Sequence, residues 1–181
     1  CNELFDLLDK VSPFPYDQVE ARIVEELGRP PEELFDSFES KPLASASIGQ
    51  VHVAYLGGRK LAVKVQRPSV EQDFVGDIQI MLGAIQLIRR LRLKSLYWAI
   101  APMSEFANWT REEMDYLCEA RYLDQLRTNA ADSPFERVPD ILKDLTTSRV
   151  LVCEFLEGMT LLDHLRDLEA NDQAEVAKLK H

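Results

Sequence analysis

Pro42-Leu43-Ala44-Ser45-Ala46-Ser47-Ile48-Gly49-Gln50-Val51-His52 is followed, beyond Gly57-Gly58, by Leu61-Ala62-Val63-Lys64-Val65-Gln66. These two runs decide the fold. Residues 43–66 are rich in small and β-branched side chains. The glycine pair divides them, which predicts two antiparallel strands joined by a tight turn. The second run alternates: Leu61, Val63 and Val65 point to one face, Ala62, Lys64 and Gln66 to the other.

Ala44 to Val51 has the spacing A-x-A-x-x-G-x-V. That is the spacing of the glycine-rich loop that covers nucleotide phosphates in protein kinases, with two glycines replaced by alanine. Small residues at Ala44, Ser45, Ala46 and Ser47, ahead of Ile48 and Gly49, let backbone N–H groups approach phosphate oxygens. Alanine keeps the close approach and gives up glycine's freedom at positive φ, so this loop is expected to be stiff. A small-residue strand turn with no ligand fits the same residues. Lys64 lies thirteen residues after Val51 on the next strand. It matches the strand lysine that pairs with phosphates and with a helix carboxylate, and Ala62 on its face would roof a flat base. A solvated surface lysine is the alternative for an isolated strand cation.

Working outward, the first forty residues read as short helices. Asp17 and Glu20 form a D-x-x-E start, Val19, Ile23, Val24 and Leu27 share a face, and Gly28 stops the helix. Pro31 opens a further turn through Leu34 and Phe35. After the strands, Ser69 and Gln72 make a capping box for a long helix whose stripe runs from Val70 through Phe74, Ile78 and Ile85 to Leu91. Arg89, Arg90, Arg92 and Lys94 crowd its end. They complement the helix dipole, with a lipid-headgroup contact as the alternative. Pro102 is expected to open one continuous helix to about Ala131. On it Glu113 falls with Phe106, Trp109, Tyr116 and Ala120, while Asp115 and Glu119 share another face. A carboxylate on an apolar stripe needs a partner if it stays ionised.

A short strand near Ile141–Lys143 and a longer one over Arg149–Phe155 follow, and Thr160 with Asp163 starts a last helix. The run Val150-Leu151-Val152-Cys153-Glu154-Phe155-Leu156-Glu157-Gly158 is an apolar strand entering an acidic, glycine-ended linker. It resembles the connection between kinase lobes. Cys153 would then limit the depth of the pocket, and the backbone of Glu154 and Leu156 would meet an adenine edge. A core strand with a turn fits these residues too. Strands clustered with helices between them predict an α+β fold with an antiparallel sheet.

The whole chain has 181 residues, 46% of them apolar, and a net charge of −10. That composition is globular and excludes disorder. It also argues against nucleic acid as a partner, since an acidic chain repels phosphate backbones. Cys1, Cys118 and Cys153 are sparse and far apart, which fits free thiols in a reducing compartment. No apolar run approaches the roughly 18 residues of a membrane span. No metal-ligating cluster stands out. A start at Cys1 rather than methionine is read as a piece of a longer protein.

Taken together, Pro42–His52, Ala62-Val63-Lys64-Val65-Gln66-Arg67-Pro68, and Glu113-x-Asp115-x-x-x-Glu119-Ala120 resemble the UbiB/AarF family of atypical kinase-like proteins. Phe14-Pro15 and Glu25-Glu26-Leu27-Gly28 extend the likeness to the N-terminal region. The resemblance implies a kinase-like N-terminal lobe over 41–158, a helical extension over 1–40, an inserted helix over 69–93, a C-type helix over 102–131 and the start of a second lobe over 159–181. It implies that Ala44–Gly49 and Val51 cover nucleotide phosphates and that Ala62, Cys153, Glu154 and Leu156 surround the base. Lys64 would be the nucleotide lysine, Glu119 its partner, and Glu113 with Asp115 the family's E-x-D motif. ATP with magnesium is the implied cofactor, its metal ligands lying outside these residues. Implied partners are isoprenoid or quinone-precursor lipids and quinone-biosynthesis enzymes, with membrane association through other parts of the protein. The implied location is the cytoplasmic face of a bacterial membrane, a mitochondrion or a plastid. The family's K-x-G-Q motif, its H-x-D-x-x-x-x-N type catalytic loop and its D-F-G type metal triplet do not occur here. Turnover by these residues alone is therefore not expected, and a non-catalytic scaffold of the same fold is the rival reading.

Overall fold

Gly57 and Gly58 adopt φ values of 59° and 76°, the left-handed pair that a two-residue hairpin turn requires. Around them β3 (Gly49–Leu56) and β4 (Arg59–Gln66) pair antiparallel, from Gly49 opposite Gln66 to Leu56 opposite Arg59. The Asp36 carboxylate accepts from the Gly57 N–H at 2.7 Å and fixes the turn from below. The computed structural model describes residues 12–68, 70–159, 164, 165 and 168. Before the hairpin come α1 (Tyr16–Leu27), α2 (Pro31–Leu34), β1 (Ser37–Phe38) and β2 (Ala44–Ser45). After it come α3 (Val70–Arg90), a 3-10 segment (Lys94–Ala99), α4 (Ile100–Glu113), α5 (Tyr116–Asn129), a 3-10 turn (Lys143–Leu145) and β5 (Val150–Glu154). The sheet order is β1-β3-β4-β5, with β2 also pairing β3, and every pairing is antiparallel.

The alternation along β4 sorts two cores. Leu61, Val63 and Val65 are fully buried with Val150 and Val152 against Phe14, Val19, Ile23, Leu34 and Phe35. Each such burial contributes about 1.5–3 kcal/mol before entropy is counted. The helices before residue 40 therefore share the sheet's own core. On the opposite face Ile48, Val70, Tyr116 and Leu151 form a second cluster, joined by Phe74, Met114, Ala120 and Leu123.

Several local expectations are corrected. Helix α1 starts at Tyr16 after Pro15, with no side-chain cap; the Asp17 carboxylate accepts from the adjacent Gln18 N–H. Val24, placed on the apolar face, is 41% exposed. The expected strand near Ile141–Lys143 is a single bridge from Ile141 to Cys153 followed by the 3-10 turn. The insertion is a helical pair, α3 and α4, rather than one helix. The predicted helix over 102–131 is two helices broken at Met114-Asp115, because Asp115 takes extended angles and its Oδ1 accepts from the Leu117 N–H at 3.0 Å. An aspartate that caps a new helix cannot continue the old one. The capping box at Ser69 and Gln72, the Thr160–Asp163 helix start and nearly all of 159–181 lie outside the described residues and side chains.

A buried polar chain ties the N-terminal segment to β3. The Gln50 side chain exchanges hydrogen bonds with both backbone groups of Phe14, at 3.2 and 3.3 Å. Gln50 Nε2 also lies 3.1 Å from His52 Nε2, and His52 Nδ1 lies 2.8 Å from the Glu39 carbonyl. A carbonyl only accepts, so Nδ1 carries the proton and Nε2 accepts from the Gln50 amide. That arrangement needs a neutral ring, and burial pushes the His52 pKa below its ordinary 6.5. The unfolded chain therefore binds the extra proton first, and stability is lost as pH falls below about 6.5. Denaturant titrations should show that acid-side loss, and His52→Phe should flatten it between neutral pH and the carboxylate range.

Candidate functional site

The sheet register assembles the site. Lys64 lies opposite Val51 on β3 and opposite Leu151 on β5, and Ala62 lies opposite Cys153. Opposed residues in an antiparallel sheet share a face, so Val51, Ala62, Lys64, Leu151 and Cys153 form one wall. Ala44, opposite Val51, extends that wall to β2.

Lys64 Nζ donates to Glu119 Oε2 at 2.5 Å, with the two side chains 25% and 41% exposed. Its ammonium also sits 4.6 Å from the centroid of the Tyr116 ring, a cation–π contact. An ion pair this open to water contributes about 1 kcal/mol or less to stability. Its effect is positional: the carboxylate fixes the amine above the wall, where two further donor directions remain.

The first turn of α5 delivers Glu119. The Tyr116 N–H donates to the Ser148 carbonyl at 2.9 Å, and the buried Gln66 amide donates to the Met114 carbonyl at 2.7 Å. The helix break is thereby tied to β4 and to the segment that leads into β5. Tyr116 is fully buried, and burial, reinforced by Glu119 and Glu113, raises its phenol pKa. Its hydroxyl has no hydrogen-bond partner among the described residues. The hydroxyl lies directly beneath Gly49: a Cβ there would come within 2.6 Å of both the Tyr116 oxygen and the Val65 carbonyl. Gly49 is thus required for close approach rather than for an unusual φ.

The loop Ala44–Gly49 is a tight turn. The Ala46 N–H donates to the Gly49 carbonyl at 2.7 Å, so it is used inside the turn. Ile48 is 7% exposed and packs with Val70, Tyr116 and Leu151, while its carbonyl accepts from the Arg67 N–H at 2.9 Å. Among the described residues only Arg92 is a non-glycine at positive φ, so neither Ala44 nor Ala46 takes a conformation that calls for glycine. Ser45 pairs with Gln50, and Ser47 faces a cleft of about 260 Å³ with Phe74, Phe106 and Glu113.

The acidic residues separate into different tasks. Glu113 ends α4 and lines that cleft as well as a second of about 520 Å³, which also takes in Lys64, Trp109, Glu119, Tyr122 and Leu126. Asp115 caps α5 and accepts weakly from the Cys118 thiol at 3.5 Å. The expected sharing of one helix by Glu113, Tyr116 and Ala120, and of one face by Asp115 and Glu119, is overturned by the break. Cys153 is half-buried; burial pushes its thiol pKa up, Glu119 adds to this and Lys64 opposes it. The Glu154 N–H donates to the Asp140 carbonyl at 2.7 Å and its carboxylate accepts from Arg137. Leu156 lies in the extended segment after β5. Neither Ala62 nor Cys153 lines the 520 Å³ cleft, which lies on the helix side of the ion pair. Among the described residues no three His, Cys, Asp or Glu side chains converge to hold a metal.

Gln66 and Tyr116 were not singled out for the site by sequence, although both organise it. The readable signal was Gln66 on the Lys64 face of β4, a polar side chain where burial would demand a partner.

Residues 6–179 match the family described as ABC1 atypical kinase-like domain. The chain is 38% identical over 178 residues to Pseudomonas aeruginosa proteins named probable protein kinase UbiB, covering 96% of this chain and 33% of theirs. It is 36% identical over 165 residues to the chloroplastic protein ACTIVITY OF BC1 COMPLEX KINASE 1 of Arabidopsis thaliana, covering 90% of this chain and 24% of that one. A Mycobacterium tuberculosis protein solved in complex with erythromycin superposes with a TM-score of 0.73 at 29% identity, over 85% of this chain and 39% of that one. The chain therefore spans about a quarter to a third of the curated relatives' length.

Gly49→Ala tests the packing of the loop over α5. Forcing a methyl against a carbonyl and a buried phenol should cost about 1–3 kcal/mol, read as a lower denaturation midpoint. Adding Tyr116→Phe should recover part of that loss, because it removes one of the two clashing atoms.

Proposed function

Because this chain belongs to the ABC1 atypical kinase-like family, we propose that it forms the nucleotide-side lobe of a UbiB-like kinase or ATPase that binds ATP with magnesium. The carrying observation is the Lys64–Glu119 pair at 2.5 Å, on the wall bordered by the alanine loop. Lys64 presents a charged amine whose free donor directions suit phosphate oxygens. Ala62 and Cys153 offer an apolar surface of small side chains suited to a flat base. Magnesium would neutralise phosphate charge, and the residues that would hold it are expected outside these 181. Within this lobe Lys64 holds phosphate, Glu119 orients Lys64, and the loop from Ala44 to Val51 shields the phosphates from water. The process proposed for the whole protein is production of ubiquinone or a related prenylquinone. Its substrate side would be isoprenoid or quinone-precursor lipid, in line with the likeness to proteins named UbiB.

A non-catalytic scaffold is the second reading, and one observation favours it. The Ala46 N–H is already used by the Gly49 carbonyl, and Ile48 is anchored in the core, so this loop offers fewer free donors than a mobile glycine loop.

Thermal denaturation of the full protein, with and without ATP and magnesium, separates the two readings. Ligand at a hundredfold its Kd should stabilise the wild type by about 2.7 kcal/mol, and Lys64→Ala should abolish the shift. Absence of any shift in the wild type would support the scaffold. Ala44→Gly with Ala46→Gly should loosen the turn, at about 0.5–1 kcal/mol per site, and change nucleotide affinity. Unchanged affinity in the double variant would remove the loop from the binding site.

A further inference from the structure

Lys64 shares its face of β4 with a second cation. Period-two alternation sets Lys60, Ala62 and Lys64 in front, half-buried, with Leu61, Val63 and Val65 fully buried behind. Four steps along an extended strand separate the two lysines by roughly 13 Å. Lys64 thus stands toward one end of the front wall and Lys60 toward the other. Ala62 lies between them, opposite Cys153.

Lys60 is engaged by the segment that leaves β5. Its ammonium lies 4.1 Å from the centroid of the Phe155 ring and 3.4 Å from Glu157 Oε1. Its carbonyl accepts from the Phe155 N–H at 3.1 Å. One residue of β4 therefore holds this linker through backbone, ring and carboxylate, just beyond the last paired residues, Leu61 and Glu154. On the other flank the Glu154 N–H donates to the Asp140 carbonyl at 2.7 Å, and Arg137 donates to the Glu154 carboxylate at 2.5 Å. The start of the linker is thus pinned from two sides. Both of those N–H groups are spent. The next one, of half-buried Leu156, has no hydrogen-bond partner among the described residues. An open donor beside a wall of small side chains suits an acceptor nitrogen of a flat heterocycle. We propose that Lys60 is a positioning residue for base recognition: by clamping Phe155 and Glu157 it sets the Leu156 N–H against the edge of a purine, while Lys64 takes the phosphates. The role rests on the nucleotide reading above and gives base and phosphates separate anchors on one strand. A cation over a ring face fixes direction as well as distance, which a neutral side chain of similar length does not reproduce.

Calorimetric titration of the full protein with two ligands tests it: ATP with magnesium, and tripolyphosphate with magnesium, which keeps the phosphates and lacks the base. The wild type should bind ATP more tightly than tripolyphosphate. Lys60→Met should weaken ATP about tenfold and leave tripolyphosphate unchanged, and Phe155→Leu should do the same. Lys60→Arg keeps a cation over the ring and should restore ATP to near the wild-type affinity. Lys64→Ala should lose both ligands. In the free protein, hydrogen exchange at the Phe155 amide should run about tenfold faster in Lys60→Met and at the wild-type rate in Lys60→Arg. Equal loss of both ligands, loss of neither, unaltered Phe155 exchange, or no rescue by Lys60→Arg would overturn the proposal and leave nucleotide binding standing. So would a wild type that binds tripolyphosphate as tightly as ATP. A wild type that binds neither ligand would overturn the nucleotide reading itself, and the role of Lys60 with it.

Discussion

Glu119 meets Lys64 because α5 begins where it does. One hundred degrees of helical rotation per residue leaves little tolerance, so a start shifted by a single position would carry the carboxylate away from the amine. Three contacts set that start. The Asp115 carboxylate caps the Leu117 N–H, the Ser148 carbonyl receives the Tyr116 N–H, and the Gln66 amide holds the Met114 carbonyl. Tyr116 then fills the space beneath Gly49, joining helix, loop and sheet in one cluster. Glu119 is held in place by buried neighbours, while its own charge pair stays partly wet.

The same sheet supports this geometry from behind. The valines and Leu61 of the hairpin's rear face are sealed by α1 and α2, and the Gln50–His52 chain joins Phe14 to β3 and Glu39. The front wall, with Val51, Ala62, Lys64, Leu151 and Cys153, is thereby kept in register. The amine lines the 520 Å³ cleft, Ser47 and Ile48 of the turn line the 260 Å³ one, and Glu113 borders both.

Much of this was written into local pattern. The glycine pair marks the turn, the period-two alternation sorts the faces of β4, and Gly28 ends α1 with its N–H on the Val24 carbonyl. The resemblance in Ala44–Val51, Lys64 and Glu113–Glu119 identified Glu119 as the partner, whereas residue spacing alone left several acidic positions open. The continuous helix over 102–131 failed because periodicity does not report a capping aspartate: Asp115 reads equally as a helix surface residue and as a helix start. The strand near Ile141 failed because one bridge to Cys153 is all that β5 offers there. The inserted α3 shows the stripe expected of it, with Val70, Ile78 and Ile85 buried, yet the stripe gave no warning that Leu91 would be exposed beyond the end of the packed surface.

The sequence by itself determined the antiparallel hairpin, the face on which Lys64 stands and the compactness of the alanine turn. Turn chemistry and alternation are properties of neighbouring residues, and they hold whatever the rest of the chain does. Tertiary structure decided where the acidic helix breaks, that Gln66 and Tyr116 organise the site, and that Asp115 serves α5 as a cap. It also made the first helices part of the sheet's core. The Asp115 cap is local, reaching only to Leu117, but the other features depend on groups distant in the chain, as with Gln66 on Met114 and Tyr116 on Ser148. Hydrogen bonds and packing over such separations leave no period in the sequence.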